Sequence, residues 1–315
     1  MAKDIGNAKN YSEEDLRFAT PLNVAKRRAE DLRCDCIVDL CSGIGIQAGA
    51  FAKTCKQVFG FEIDARKVKY SEKNFNLKNL KFICGDVMDE KVIERVKEIK
   101  PDIIFCDPER LPSEKERNLE SIKPNLKRLV EVYSGICRNI CLEVPPRIDL
   151  DKLNALGDTE ELDSSVPKIS KTQKISGCEK EYLSLDNKLN RLDLKFGNLK
   201  KDERSVVDVS SGMRIVNNPA RKAKVNDRIL NYVYDVSEAV VKADLVDELA
   251  CLVFAEILKG CEKNRVLLTS KEPSLEFGCF AKPYVVIGIV SKFEEFNVLL
   301  RKKGFGKAVI KYSIE

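Results

Sequence analysis

The 315-residue sequence contains no histidine and no tryptophan, and aromatic residues make up only 7% of it. Without histidine, a Ser–His or Cys–His nucleophile pair is excluded, and so is any metal site that uses imidazole. Catalysis must therefore fall to carboxylates, backbone amides, arginine, lysine, tyrosine or cysteine. No apolar run approaches the roughly 20 residues that a membrane-spanning helix needs, so we expect no membrane partner.

Cysteine is abundant, with 12 residues, but no two of them form a Cys-x-x-Cys pair. Several lie in apolar runs, such as Cys84, Cys106 and Cys141, which is typical of buried reduced thiols. We therefore expect no zinc or other metal. The polar segment Met1–Glu14 has no apolar core of a secretory signal, which favours a cytoplasmic protein.

The charge is mixed rather than extreme, with 55 basic and 50 acidic residues and a net charge of +5. Two basic clusters occur in the last third of the chain: Arg221, Lys222, Lys224 and Arg228, and then Arg301, Lys302, Lys303 and Lys307. Such clusters either bind phosphates or are simply solvated surface. Charge alone therefore leaves RNA binding open.

Short apolar runs alternate with amphipathic stretches from residue 24 to about residue 144. The runs predict strands over 36–40, 57–62, 80–84, 103–106 and 140–144, and the stretches predict helices over 46–54, 65–75, 91–99 and 125–136. Alternation of this kind is typical of an α/β fold, a doubly wound and mostly parallel Rossmann-like sheet.

The pattern changes after residue 149. A polar stretch over 149–180 indicates connecting structure, and successive strands over 182–185, 189–196, 205–209 and 213–216 predict antiparallel additions at one edge of the sheet. Residues 217–228 resemble a domain boundary. A small α+β domain is predicted beyond it, with helices over 244–259 and 292–302 and strands over 266–269, 284–289 and 308–312. We therefore expect two domains, 1–218 and 219–315.

The most informative motif is the segment Ile37–Ile46, in which an apolar strand ends in Asp39 and a Gly43-x-Gly45 turn leads into a helix. Glycines suit a tight turn that approaches a ligand, and the helix N-terminus behind it offers free amides. With Ala48, the two glycines also satisfy the fingerprint of dinucleotide-binding proteins. A nicotinamide oxidoreductase is thus an alternative.

Asp39 distinguishes a dinucleotide cofactor from S-adenosylmethionine. A carboxylate at this strand end repels the anionic pyrophosphate of a dinucleotide, whereas it attracts the ammonium and sulfonium groups of S-adenosylmethionine. The next three predicted strands also end in acids, Glu62, Asp86 and Asp107. At the carboxyl edge of an open α/β sheet, where ligands bind, we expect Glu62 to hold ribose hydroxyls and Asp86 to meet the adenine amino group.

This set of residues resembles the class I S-adenosylmethionine-dependent methyltransferases. The segment Phe18–Ala25, with Thr20 and Pro21, is similar to the Thr-Pro segment of the trimethylguanosine synthase branch. A wider resemblance, to methyltransferases with a C-terminal THUMP-like domain, rests on these segments: 19–21, 39–45, 107–110, 182–186, 234–235 with 243–245, 268–273 and 304–307.

The resemblance implies S-adenosylmethionine as cofactor and RNA as partner. The implied cofactor-binding residues are Thr20, Pro21, Asp39, Cys41, Gly43, Gly45, Glu62, Ile63, Asp86, Val87 and Asp107. The implied catalytic residues are Asp107, Pro108, Glu109 and Arg110. Glu109 and Arg110 replace the second proline and the aromatic residue of the Asp-Pro-Pro-aromatic signature of enzymes that methylate nucleobase amines. Arg110 can stack on a base or bind a phosphate instead.

We therefore expect methyl transfer to a nucleobase of structured RNA, with Asp107 hydrogen-bonded to the acceptor amine. Three alternatives stay open at this point: a protein substrate, a small-molecule substrate, or an RNA-binding module whose methyltransferase fold is inactive. A cysteine nucleophile at Cys41 or Cys106 is disfavoured, because both residues lie in or next to strands.

Overall fold

A computed structural model describes residues 4–110, 122–148, 177–260, 265–306 and 308. The chain divides into two compact units. One comprises Met1–Pro219 and Ser237–Leu245, and the other comprises Ala220–Val236 and Val246–Glu315. The segment Ser237–Leu245 thus belongs to the first unit, although the sequence analysis placed it in the second domain. Assignment of the two domains to functions stays a prediction.

The first unit contains a large sheet with helices between its strands. Its described helices are α1 (Glu13–Phe18), α2 (Leu22–Asp31), α3 (Ile46–Phe51), α4 (Ala65–Asn74), α5 (Glu90–Ile99), α6 (Leu126–Tyr133) and α7 (Glu238–Lys242). The strands of the large sheet are β1 (Cys36–Asp39), β2 (Gln57–Glu62), β3 (Leu80–Cys84), β4 (Ile103–Cys106), β7 (Ile140–Val144), β8 (Glu179–Leu185), β9 (Lys188–Lys195), β10 (Arg204–Asp208) and β11 (Arg214–Val216). A separate two-stranded ribbon pairs β5 (Glu109–Arg110) with β6 (Ile122–Lys123).

The strands of this sheet follow the order β11-β10-β8-β9-β7-β4-β1-β2-β3. Strands β1, β2, β3, β4 and β7 are mutually parallel, and β9 runs antiparallel between β7 and β8. The predicted doubly wound, mostly parallel sheet is confirmed. Because the connections leave β1 toward β2 on one side and β4 on the other, a crevice opens at the carboxyl ends of β1 and β4.

One predicted pairing is different in the structure. Strands β8 and β9 form the expected hairpin, and Asp186 and Asn187 at its turn have φ angles of 52° and 60°, which a type I′ turn requires. Strand β10, however, does not pair with β9; it pairs in parallel with β8, and β11 then pairs antiparallel with β10. The short segment between β9 and β10 includes a 3-10 turn at Gly197–Leu199, which separates the two strands.

Two helices cover the sheet next to the crevice. Ala25, Ala29 and Ala48 are fully buried or nearly so, and these small residues let α2 and α3 pack closely. The ring of Phe51, the last residue of α3, meets the ring of Phe105 on β4 edge to face, with centroids 5.4 Å apart. Aromatic pairs of this kind add stability beyond the area that they bury. The strand ends at the crevice are thereby held on a rigid support.

The second unit is built on a sheet of its own, with the order β12-β14-β15-β13-β16. Its elements are β12 (Val225–Asn226), β13 (Tyr232–Val236), α8 (Val246–Leu252), β14 (Glu256–Leu258), β15 (Leu267–Ser270), β16 (Ala281–Val285) and α9 (Phe293–Lys302). The predicted α+β character is confirmed. No helix in the described ranges is both long and apolar enough to cross a bilayer.

Some boundaries in the second unit were predicted wrongly. The predicted helix 244–259 ends at Leu252, because Phe254 takes a left-handed φ of 54° that an α-helix cannot continue, and Glu256–Leu258 pair as β14. The predicted strand 284–289 lies at Ala281–Val285, and β13 was missed. The predicted strand 308–312 lies outside the described residues, apart from Ala308, which is not in a strand.

Candidate cofactor site and active site

The turn between β1 and α3 is the centre of the site. Gly43 and Gly45 have φ angles of 55° and 88°, and Gly45 caps the N-terminus of α3. A β-carbon on Gly45 would lie 2.9 Å from the Phe82 ring, so neither conformation nor space allows a side chain there. A β-carbon on Gly43 would meet nothing within 4 Å. Gly45 therefore serves the fold, whereas Gly43 keeps a space open.

Neighbouring elements hold this turn in place. The Gly43 amide donates a hydrogen bond of 2.8 Å to Oε2 of Glu62, at the end of β2. The Ser71 hydroxyl on α4 donates to the Gly43 carbonyl over 2.8 Å, and the Asn74 side-chain amide donates to the Ile44 carbonyl over 3.2 Å. The turn is thus fixed from two elements that lie far along the chain, which is how a rigid ligand cradle is built.

Asp39 lies at the end of β1 with 1% of its surface exposed, and neither carboxylate oxygen has a hydrogen-bond partner among the described residues. Burial and the nearby Asp107 carboxylate raise the pKa of Asp39 well above its ordinary value, against a weaker opposing effect of the Cys41 amide. A buried carboxyl without a partner is costly. The site therefore calls for a cationic or hydrogen-donating group opposite Asp39.

Two adjoining cavities run along the carboxyl ends of the strands, and Asp15, Cys41, Glu62 and Lys67 line both of them. The first has a volume of about 120 Å³ and the second about 530 Å³. The sequence-predicted residues that line the first are Thr20, Asp39, Cys41, Gly43, Glu62, Asp107 and Pro108, and those that line the second are Cys41, Glu62, Ile63, Asp86 and Val87. Pro21 and Gly45 line neither cavity; Pro21 caps α2 and Gly45 caps α3.

The second cavity is bounded by the loop that follows β3. Asp86 is exposed there, and its Oδ1 accepts a hydrogen bond of 2.8 Å from the Met88 amide. The buried Tyr133 hydroxyl donates to the Val87 carbonyl over 2.5 Å and fixes the loop from below. Ile63, with 65% of its surface exposed, forms an apolar part of the wall. These features suit a flat ring with a polar edge.

Asp107 stands at the end of β4, beside Asp39. The Thr20 hydroxyl donates a long hydrogen bond of 3.5 Å to Asp107 Oδ2. Burial and the neighbouring Glu143 raise the pKa of Asp107 to about 7, although Arg191 and Arg28 act in the opposite direction. Asp107 can therefore exchange a proton near neutral pH.

Four further charged residues lie near Asp107 and were not predicted from the sequence: Arg28, Glu143, Arg191 and Asp193. Glu143 is the last but one residue of β7, so the strand-end rule that selected the other acids also fits it. Arg191 and Asp193 are polar positions in a predicted strand. Arg28 had no usable signal, because α2 was not predicted.

Two predicted catalytic residues are described only in part. Glu109 and Arg110 form β5, whose backbone pairs antiparallel with β6, with Glu109 opposite Lys123 and Arg110 opposite Ile122. Their side chains lie outside what the structure describes, and the stacking or phosphate-binding role of Arg110 stays a prediction. Pro108 is buried and lines the first cavity.

A cysteine nucleophile finds no support in the structure. The sulfur atoms of Cys106 and Cys41 lie 3.5 Å apart at the site. For Cys106, burial raises the pKa well above the ordinary value; for Cys41, the Cys106 contact lowers it, but burial and nearby acids outweigh this and raise it overall. A thiol must be deprotonated to attack, so both are poor nucleophiles. Within the described ranges, no group of three or more Cys, Asp or Glu residues is arranged to hold a metal ion.

The residues fit S-adenosylmethionine. Asp39 offers an unpartnered carboxylate to a cationic ligand, and the open space at Gly43 allows close approach of the backbone. Glu62 accepts hydrogen bonds from the Gly43 and Asp64 amides, and each of its oxygens keeps a lone pair for a hydroxyl group. Asp86 and the Val87 loop line the larger cavity, which suits an adenine ring.

Comparison with solved structures supports the fold. A proposed methyltransferase from Porphyromonas gingivalis W83 superposes with a TM-score of 0.73 and covers 93% of this chain and 71% of that protein, at 17% sequence identity. The likeness therefore extends over both units.

Sequence comparison finds two curated relatives, both called uncharacterised RNA methyltransferases. The protein from Staphylococcus epidermidis is 29% identical over 126 residues, which is 39% of this chain and 27% of that protein. The protein from Streptococcus mutans is 34% identical over 79 residues, which is 24% of this chain and 18% of that protein. The chain thus matches about a quarter of the length of these relatives or less.

A family profile matches a longer region. The profile described as RNA cap guanine-N2 methyltransferase matches residues 34–201, which is more than half of the chain. The match contains the Asp39–Gly45 turn and the Glu143 and Arg191 positions beside Asp107. It also contains the acids at or just after the ends of β2, β3 and β4: Glu62, Asp86 and Asp107. The chain therefore belongs to the RNA cap guanine-N2 methyltransferase family.

Proposed function

We propose that this protein is an S-adenosylmethionine-dependent methyltransferase that acts on a nucleobase in RNA. The observation that carries the proposal is the buried, unpartnered Asp39 carboxylate beside the Gly43 turn and Asp107. A buried carboxyl at this position fits a cationic cofactor, which favours its ionised form, and the open edge next to it leaves room for an acceptor. The family match and the names of the two relatives agree with it.

The proposed cofactor-binding residues lie along the two cavities, and each binds a different part of the cofactor. In this proposal Asp39 pairs with the cationic part of the cofactor, and Glu62 binds the ribose hydroxyls from a carboxylate that Gly43 and Asp64 already orient. Asp86 and the loop at Val87 hold the adenine ring. Preoriented groups lose little freedom on binding, which favours tight association.

S-adenosylmethionine supplies a methyl group that is activated for attack by its bond to a positively charged sulfur. The protein mainly has to align the acceptor and exclude water. Phe18, at the end of α1, and Thr20, in the segment before α2, line the first cavity together with Asp107. Asp107 then accepts a hydrogen bond from an exocyclic amine and takes its proton, for which a pKa of about 7 is well suited.

Guanine N2 is the acceptor that we propose, because the family that the chain matches is described by that reaction. The second unit, predicted as THUMP-like, would hold the RNA through basic residues such as Arg221, Lys222, Lys224 and Arg228. The cytoplasmic location and the domain division at residue 218 stay predictions.

Calorimetric titration with S-adenosylmethionine, its demethylated product and NAD tests the cofactor. We expect micromolar binding of the first two and none of NAD, since Asp39 repels a pyrophosphate. Binding of NAD alone would overturn the assignment in favour of an oxidoreductase.

Methyl transfer is tested with a labelled methyl donor and total RNA, followed by nucleoside analysis. Asp39→Ala and Asp107→Ala should each lower transfer at least a hundredfold. Asp35→Ala is the matched control, because this exposed acid is the residue before β1 and pairs only with Lys56 in the described part of the chain. Transfer to protein or small molecules and not to RNA would refute the RNA substrate, and undiminished transfer by Asp107→Ala would refute the catalytic assignment.

A further inference from the structure

A buried network of charges connects α2 to the proposed active site. Arg28 on α2 makes two hydrogen bonds to Asp193 on β9, from Nε over 2.9 Å and from Nη2 over 2.5 Å. The same Nη2 lies 2.6 Å from Glu143 Oε2 on β7. The guanidinium also lies over the Phe105 ring, 5.2 Å from its centroid. Arg28 is thus held by groups on three strands of the sheet.

Arg191 completes the network from the other side. Its Nε lies 2.6 Å from Glu143 Oε1, so that the two oxygens of Glu143 each face a guanidinium. Arg191 also lines the first cavity, together with Glu143 and Asp107. The Asp107 and Glu143 carboxyls line the same cavity and interact electrostatically, because Glu143 raises the pKa of Asp107. Glu143 therefore connects Asp107 to both arginines.

The charges of this network do not cancel. Three carboxyls, Asp107, Glu143 and Asp193, face two guanidiniums, Arg28 and Arg191. Asp193 and Glu143 have close arginine partners, whereas Asp107 has a carboxylate as its neighbour. One carboxyl must therefore hold a proton at moderately low pH, because buried charges of the same sign repel strongly. Among the described side chains, Asp107 is the one of these three carboxyls that forms no ion pair with an arginine.

Other charged groups line the cavity beside Asp107. Asp39 on β1, Glu62 on β2 and Asp15 on α1 are acids and add to this imbalance, whereas Lys67 on α4 brings a positive charge. Burial raises the pKa of Glu143, but Arg191 and Arg28 more than offset this and lower it below its ordinary value, whereas the pKa of Asp107 is about 7. The pKa values of the two carboxyls thus differ, because Glu143 is paired with arginine and Asp107 is not in direct contact with one among the described side chains.

We propose that Arg191 and Glu143 are positioning residues that orient the Asp107 carboxyl and keep it able to receive a proton from the acceptor amine. The inference rests on the proposed methyl transfer. In that step, the amine nitrogen forms a bond to the methyl carbon and the carbon–sulfur bond breaks with its electron pair on sulfur. One proton passes from nitrogen to the ionised Asp107. Arg191 and Glu143 touch neither reacting atom in this scheme; they act through Asp107.

The first test measures the titration of Asp107 directly and needs no substrate. In protein labelled with carbon-13 at the aspartate carboxyls, the Asp107 signal is identified by its loss in Asp107→Asn. We expect a midpoint near pH 7. Arg191→Gln removes a positive charge and should raise the midpoint by roughly one pH unit or more, whereas Glu143→Gln removes a negative charge and should lower it.

Arg27→Gln is the matched control. Arg27 is next to Arg28 on α2, it is about as buried as Arg191, and its ion-pair partner Asp31 lies on the same helix. It should leave the midpoint unchanged. Arg191→Lys keeps the positive charge and is a second variant in case Arg191→Gln does not fold. Its Asp107 midpoint should be closer to that of the wild type than the midpoint in Arg191→Gln. Equal midpoints in wild type, Arg191→Gln and Glu143→Gln would overturn the proposal.

A second readout separates this inference from the proposed function. In the methyl-transfer assay, the acidic limb of the kcat profile should move upward in Arg191→Gln and downward in Glu143→Gln, with the KM for RNA changed less than twofold. A merely structural role would lower kcat at every pH without moving the limb. If the wild type transfers no methyl group, the proposed function fails, and the carboxyl titration still decides whether the network controls Asp107.

Discussion

The Gly43 amide and the Glu62 carboxylate are joined by a hydrogen bond of 2.8 Å, which ties the glycine turn after β1 to the acid at the end of β2. These are the two motifs that the sequence separates by 19 residues. Because the second oxygen of Glu62 accepts from the Asp64 amide over 3.0 Å, the carboxylate cannot rotate freely. The two halves of the proposed cofactor site therefore form one rigid piece.

Replacing Gly43 by alanine should impair cofactor binding more than stability. The new β-carbon meets no protein atom within 4 Å, so the cost to folding is mainly the left-handed φ of 55°, about 1 kcal/mol. It would enter the space that Gly43 leaves beside Asp39. We expect at least a tenfold loss of S-adenosylmethionine affinity by calorimetry.

Gly45→Ala should impair stability more than cofactor binding. Its β-carbon would lie 2.9 Å from Phe82 and 3.1 Å from Phe75, at a φ of 88°. We expect a loss of roughly 2 to 4 kcal/mol in the free energy of unfolding, measured by urea titration. If Gly43→Ala were the more destabilising of the two, it would be wrong that Gly43 leaves space for the ligand while Gly45 is required by the fold.

Cofactor binding should release a proton. The pKa of Asp39 is raised in the free protein by burial and by Asp107, and a cationic ligand favours the ionised carboxylate. Below the raised pKa, affinity should therefore increase with pH, by up to about tenfold per pH unit. Calorimetry in buffers of different ionisation enthalpy measures the proton count. Asp39→Asn should abolish the release and Asp35→Asn should not; release that persists in Asp39→Asn would refute the assignment.

The ion pair of Arg28 with Asp193 should matter for stability through its burial. Arg28→Met leaves the Asp193 carboxylate buried without its partner, which should cost about 3 to 5 kcal/mol in the free energy of unfolding. The double variant Arg28→Met/Asp193→Leu should recover most of that loss. Arg27→Met, which breaks a partly exposed pair with Asp31, should cost about 1 kcal/mol or less. Urea unfolding of the four proteins checks the order.

Tyr234 offers a test in the second unit. It is fully buried on β13; its hydroxyl lies 3.1 Å from the Ser270 hydroxyl and accepts a hydrogen bond of 3.0 Å from the Ser274 amide. Tyr234→Phe leaves that amide without an acceptor and should destabilise the unit by about 1 to 2 kcal/mol. Hydrogen exchange of the β13 amides locates the effect. Tyr232→Phe on the same strand should change exchange little, since no hydrogen bond of its hydroxyl is present among the described residues.

The acids at the strand ends could be predicted because each follows an apolar run of four to six residues, and parallel strands end at one edge of the sheet. The glycine turn could also be predicted, because the Gly43-x-Gly45 motif directly follows an apolar strand. Arg28 and Asp193 could not be paired in this way, since 165 residues separate them and their contact depends on how α2 lies on β9. The parallel pairing of β10 with β8 was missed for a similar reason: strands that follow each other in sequence favour a hairpin, and nothing local marks the exception.

Boundaries in the second unit failed for local physical reasons. The apolar pattern of residues 244–259 suits a helix throughout, but the left-handed φ of Phe254 ends it, and sequence periodicity carries no signal for that residue. Asp107 shows the other limit. Its position was predicted from the sequence, whereas its pKa of about 7 depends on Glu143 and two arginines that tertiary packing brings together.

The segment Ser237–Leu245 makes the backbone pass between the two units three times. Its helix α7 packs on β8 and β9, Ala239, Val240, Ala243 and Leu245 are fully buried, and Glu238 holds Arg147 through two hydrogen bonds of 2.5 and 2.9 Å. Cutting the chain at residue 219 would therefore remove a piece of the first unit along with the second. The first unit would be left with an uncovered apolar patch on its sheet, so a protein fragment that ends at residue 219 should aggregate. A fragment in which residues 237–245 are joined to residue 219 through a short linker should stay monomeric.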